Sequence, residues 1–125
     1  MPSEEFPVQK LLFFVAQDFD ESLVPTIERF VSQLSARRVW SIRPPAFVNE
    51  GSGSLKTLGG FVCLFNALPP NNLPKALDLQ NLEEVKELVN QLQDISRQKS
   101  LIFELELDGV YVGSIEDGEL DKSLR

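Results

Sequence analysis

Two short runs, Leu11-Leu12-Phe13-Phe14-Val15-Ala16 and Phe61-Val62-Cys63-Leu64-Phe65, are apolar at every position. Successive side chains of a strand point to opposite sides of a sheet, so a strand with one wet face alternates apolar and polar residues. A run with no polar position needs cover on both faces. Both runs are too short for ordinary helices and rich in aromatic and β-branched residues, which favours strands. They predict two strands in the interior of one sheet.

The remaining elements follow from period and punctuation. Leu23, Ile27, Phe30, Val31 and Leu34 recur at helical spacing. Starting that helix after a Ser22 cap leaves Pro25 in the first turn, where a missing N–H breaks no bond. Arg37 and Arg38 suit the negative end of the helix. Val39-Trp40-Ser41-Ile42-Arg43 reads as a second strand, which Pro44-Pro45 ends or marks as an edge, with Ala46-Phe47-Val48 as a continuation. Residues 49–60 read as a Gly/Ser-rich connection, and residues 68–78 as a proline-broken loop. A second helix carries Leu82, Val85, Leu88, Val89, Leu92 and Ile95, with Asn81 and Glu84 as a capping box. Leu101 to Leu107 alternates, so one face of that strand is wet, with Glu104 and Glu106 on it. Asp108-Gly109 predicts a type I′ hairpin turn into a fifth strand, Val110–Ile115. The acidic tail from Glu116 is expected to end in a turn of helix.

The order β-α-β-β-α-β matches the split βαβ, or ferredoxin-like, arrangement, with the fifth strand added beside the fourth. The expected class is α+β, two-layered, in a single domain over 1–125. In that arrangement the first and third strands are central, which agrees with the two wholly apolar runs. Two helices cover one face of such a sheet. The other face then needs the 44–60 loop, a terminus, a partner or a second copy over it.

The chemistry of the chain is restrictive. There is no histidine, which removes Ser-His-Asp and Cys-His catalysis and zinc sites built on Cys and His. The one cysteine, Cys63, allows no intrachain disulfide and sits in an apolar run that predicts a buried thiol. Gly51-Ser52-Gly53-Ser54-Leu55-Lys56-Thr57 departs from a phosphate loop at Leu55, where glycine must precede the lysine. No catalytic residue, metal ligand or cofactor is expected. The net charge of −7 repels nucleic-acid phosphate and attracts basic partners. The N-terminus is acidic where an export signal is basic, and the apolar run after it is too short to span a membrane, so a cytoplasmic location is expected.

Carboxylates concentrate near the end of the chain: Glu104, Glu106, Asp108, Glu116, Asp117, Glu119 and Asp121, with no basic residue among them. Three readings compete: a solvated edge without a role, a docking surface for a basic partner, and a carboxylate pair for hydrolysis or a hard metal. Tyr111 lies among the acids and reads equally as a contact or as core; Trp40 reads as core. The docking reading takes Glu104, Glu106, Asp108, Tyr111, Glu116, Asp117, Glu119 and Asp121 as partner-binding residues.

Phe103-Glu104-Leu105-Glu106-Leu107-Asp108-Gly109-Val110-Tyr111-Val112-Gly113, running into Ile115-Glu116-Asp117-Gly118 and Asp121, resembles small bacterial immunity proteins of polymorphic toxin systems. The resemblance covers about a quarter of the chain and has no diagnostic motif, so it fixes no binding residue. It implies inhibitory binding to a cognate toxin without catalysis. Many such toxins are nucleases, whose basic clefts complement an acidic surface. The competing expectation is a ferredoxin-like regulatory or self-associating module, a homodimer through the open sheet face or a binder of a small ligand.

Overall fold

The computed structural model describes residues 8–38, 40, 42–51, 57–65 and 75–122. The elements are β1 (Val8–Val15), α1 (Leu23–Ala36), β2 (Ala46–Glu50), β3 (Thr57–Phe65), α2 (Lys75–Lys99), β4 (Phe103–Leu107), β5 (Val110–Glu116) and β6 (Glu119–Lys122). The class is α+β. Six strands form one antiparallel sheet in the order β2-β3-β1-β4-β5-β6.

The wholly apolar runs lie on β1 and β3, which pair with each other inside the sheet. Leu11, Phe13 and Val15 of β1 bury against the helices, together with Leu58, Val62 and Leu64 of β3 and Phe103 and Leu105 of β4. Phe13 is fully buried and meets Phe30 of α1 and Phe103 of β4 edge-on, with ring centroids 6.0 and 6.4 Å away. Helix α1 buries Ile27, Phe30, Val31 and Leu34, the stripe that its period predicts.

The boundary of α1 falls after Ser22 as its sequence suggests, but the cap is built differently. Ser22 has helical angles and makes no side-chain cap bond. Its N–H and hydroxyl both donate to Oδ1 of Asp20. Those two donors hold the Asp20 carboxyl below the usual carboxylate range. Arg37 and Arg38 cross to α2 and pair with Glu87 (2.6 Å) and Glu83 (3.7 Å).

Several expectations need correction. The second strand is Ala46–Glu50, which takes in the expected continuation Ala46-Phe47-Val48; of the expected Val39–Arg43 strand, Trp40, Ile42 and Arg43 are not in a strand, and Val39 and Ser41 lie outside the described residues. Proline lacks a donor, so the prolines deliver the chain to the edge of the sheet and the ladder begins once N–H groups return. Trp40 is core, as expected, its indole N–H donating to the Ser35 carbonyl at 3.2 Å. Residues 57–60 belong to β3 and not to a connection; of the segment Gly51–Thr57, which departs from a phosphate loop at Leu55, residues 52–56 lie outside the described residues.

The capping box at Asn81 and Glu84 does not exist. Helix α2 is already formed at Lys75, and both residues are buried within it. Lys75-Ala76-Leu77-Asp78-Leu79-Gln80 is dominated by good helix formers. Leu82, expected in the buried stripe, is 49% exposed. The buried line of α2 is Asn81, Glu84, Leu88, Leu92 and Ile95, so Leu82, Val85 and Val89 form a second line beside it.

In the tail, Glu119–Lys122 form a strand and not a turn of helix, and residues 123–125 lie outside the described residues. Asp117 (φ 54°) and Gly118 (φ 78°) repeat the paired positive angles of Asp108 (φ 51°) and Gly109 (φ 85°), the signature of a type I′ turn. The β5–β6 turn is seated on the end of α2. The hydroxyl of fully buried Ser96 accepts from the Gly118 N–H at 3.1 Å and donates to the Leu101 carbonyl at 2.7 Å. Ser96→Ala leaves two buried polar groups without that partner, an expected loss of about 1–3 kcal/mol in chemical unfolding.

Helix α2 ends with Ser100 in the left-handed region (φ 56°) and the Leu101 N–H bonded to the Ser96 carbonyl at 3.0 Å. That is the closing bond of a Schellman cap, which prefers glycine at the left-handed position. Ser100→Gly is expected to raise stability by about 0.5–1 kcal/mol, read as a higher unfolding midpoint.

Candidate docking face

Register decides which residues share a face. Antiparallel partners point the same way, so Phe14 of β1, paired with Glu104 and Gly59, shares its face with Val48, Ser114 and Asp121. A second row crosses the sheet from Ala46 through Phe61, Leu12 and Glu106 to Tyr111. This is the face turned away from the buried side chains of Leu11, Phe13 and Val15.

The face is divided. Over β2, β3 and β1 it carries Ala46, Val48, Phe61, Cys63, Leu12 and Phe14. Over β4, β5 and β6 it carries Glu104, Glu106, Tyr111, Ser114, Glu116, Glu119 and Asp121. Six of the eight residues predicted to bind a partner therefore stand together.

The other two lie at the turns. Asp108 is spent on the fold: its carboxylate accepts the Lys10 N–H at 2.9 Å and its own N–H donates to the Lys10 carbonyl at 2.9 Å. Asp117 sits in the β5–β6 turn, where it joins Ser114, Glu116, Glu119 and Asp121 around an open hollow of about 350 Å³.

Glu116 and Glu119 are direct cross-strand partners. Like charges so placed weaken the pairing of two strands. Among the described residues no cation pairs with Glu104, Glu106, Glu116, Glu119 or Asp121. Tyr111 is 42% exposed beside Glu106, so it belongs to the surface and not to the core.

The apolar half is not the bare patch that the sequence suggests. Leu12, Phe14, Val48 and Phe61 are half-buried, and Cys63 is buried with its thiol free. The Lys10 ammonium lies 4.4 Å from the centre of the Phe61 ring and the Arg43 guanidinium 5.5 Å from it. Long cationic side chains thus lay themselves over apolar surface while keeping their charge wet. Residues 46–50, expected within a covering loop, are instead the edge strand of the sheet; the N-terminal residues 1–7 lie outside the described residues.

The face therefore has cations at one side and carboxylates at the other. Sequence reasoning found the acids but missed Lys10 and Arg43 as their counterpart. The signal was present: Lys10 is two positions before Leu12, hence on the same side of the strand.

Among the described residues no group of three or more Cys, Asp or Glu is placed to hold a metal ion. No helix of the described residues is long and apolar enough to cross a membrane. Comparison with protein-family models, with curated proteins and with solved structures gives no match.

Proposed function

We propose that this chain is a non-catalytic binding protein, an immunity protein that neutralises a cognate bacterial toxin through the acidic half of its open sheet face. The fold is read as a ferredoxin-like core, β2-β3-β1-β4, extended by the β5–β6 hairpin. The supporting observation is the placement of Glu104, Glu106, Glu116, Glu119 and Asp121 on one face, two of them directly opposed, with no described cation to neutralise them. A basic partner relieves that repulsion on binding and is drawn in by the field of the face.

A symmetric dimer through the same face is less favoured. Any such dimer brings together two chains of net charge −7, and against the five carboxylates of the face each sets Lys10 and Arg43 among its described residues.

The test is affinity capture from cells that encode the chain, at low and high salt, with mass spectrometry. A single basic protein held at low salt and released at high salt, whose toxicity the chain abolishes, supports the reading. Reversing Glu104, Glu116 and Glu119 together to lysine is expected to weaken that complex by at least about tenfold, mostly through a slower association rate. Unchanged affinity, or recovery of the bait alone as a dimer, counts against it.

A further inference from the structure

On the opposite side of the sheet, a groove of about 420 Å³ runs between α2 and strands β1, β4, β5 and β6. Leu11, Leu105 and Val112 floor it, and Val85, Val89 and Leu120 wall it. Leu82 stands at its mouth, half exposed. This is the second apolar line of α2, and the fold leaves it without a covering strand or helix among the described residues.

The polar residues of α2 sort by side. Glu83 and Glu87 turn to α1, where Arg38 and Arg37 hold them. Lys86 and Asn90, one helical turn apart, line the groove instead. Among the described residues Lys86 has no ion-pair partner. In a chain of net charge −7, the rim of this apolar groove is locally cationic.

We infer that the groove binds an apolar monocarboxylate, an aliphatic or aryl acid whose chain lies on the valines and leucines and whose carboxylate meets the Lys86 ammonium and the Asn90 amide. The volume lies within the range of roughly 300–1,000 Å³ of small-molecule sites. Buried chain supplies most of the affinity, and one exposed ion pair orients the ligand and selects its charge. The site is on a different face from the acidic half, so it stands or falls separately from the proposed toxin binding.

Decanoate, 1-decanol and decyltrimethylammonium, each kept below its micelle concentration, are matched probes. Methyl resonances of Val85, Val89, Val112 and Leu120 report occupancy. Decanoate is expected to shift these four together. Decanol is expected to bind about two- to fivefold more weakly, the loss of one exposed ion pair, and the ammonium more weakly still. Lys86→Glu, at an exposed position, is expected to weaken decanoate by at least about fivefold while leaving decanol unchanged. Equal binding of all three probes, shifts centred elsewhere, or indifference of decanoate to Lys86→Glu overturns the assignment. So does a groove that stays silent to decanoate.

Discussion

Gly59→Ala is expected to leave the chain without its native fold. Gly59 lies in β3 between Phe14 of β1 and Val48 of β2, with a paired strand on each side. A Cβ there would press directly on the Phe13 carbonyl oxygen and stand 2.7 Å from Phe14 Cα and 2.8 Å from Phe13 C. All three are backbone atoms of β1, so no side-chain rotation relieves the clash. Relief requires β1 and β3 to separate, which breaks ladder bonds and opens the core beneath Phe13.

A cost above about 4 kcal/mol is exceptional for one substitution, and here it approaches the roughly 5–15 kcal/mol that holds a whole domain together. Loss of the dispersed amide spectrum and of a cooperative melt is the expected reading. A variant that melts within a few degrees of the parent refutes the close approach of these strands.

Phe13→Ala is the second large effect. The ring is fully buried on the helix side of β1, between Phe30 and Phe103. A Cβ on Gly60 would meet the ring tip at 2.8 Å, so the ring occupies space that a larger residue in β3 would fill. Truncation empties a site bounded by α1, β3 and β4 at once. Such deletions cost about 3–5 kcal/mol, and the melting midpoint is expected to fall by roughly 10 °C or more. A loss under about 1 kcal/mol means that the neighbours collapse into the gap and that Phe13 is not the keystone of these layers.

Much of this architecture is legible in the sequence, and the failures share a cause. The wholly apolar runs give β1 and most of β3, because demand for cover on two faces is a local property. The stripe of α1 and the Asp108-Gly109 turn are local too. The position of β2 is not. Val39-Trp40-Ser41-Ile42-Arg43 has better strand composition than Ala46–Glu50, yet Trp40 goes into the core and Ile42 and Arg43 stay out of the sheet, an outcome set by tertiary packing.

Helix α2 misleads for a related reason. Its apolar residues read as one stripe, whereas Asn81 and Glu84 occupy the buried line and push Leu82, Val85 and Val89 aside. Burial of polar residues depends on partners elsewhere in the chain, which periodicity does not contain. The β5–β6 turn was available to inspection, since Asp117-Gly118 is the same dipeptide as Asp108-Gly109.

The candidate face divides in the same way. Its acids are visible as composition. Their common side is not, because a bulge between Leu105 and Glu106 shifts the register against β5, so that Tyr111 rather than its neighbour stands opposite Glu106.

The place of β1 in the sheet also sets a timetable. It is the first of the described strands, yet its neighbours are β3 and β4, and the bond between the Lys10 N–H and Asp108 spans 98 residues. On a ribosome, β1 emerges well before β4, its last partner strand. Until then its exposed ladder groups and aromatic rings invite association with other chains. The β4–β5–β6 meander, by contrast, closes through two tight turns as soon as it is made, and such local pairing is fast. Folding of this domain during synthesis therefore waits on the arrival of β4, and yield in the cell depends on what shields β1 in the interval.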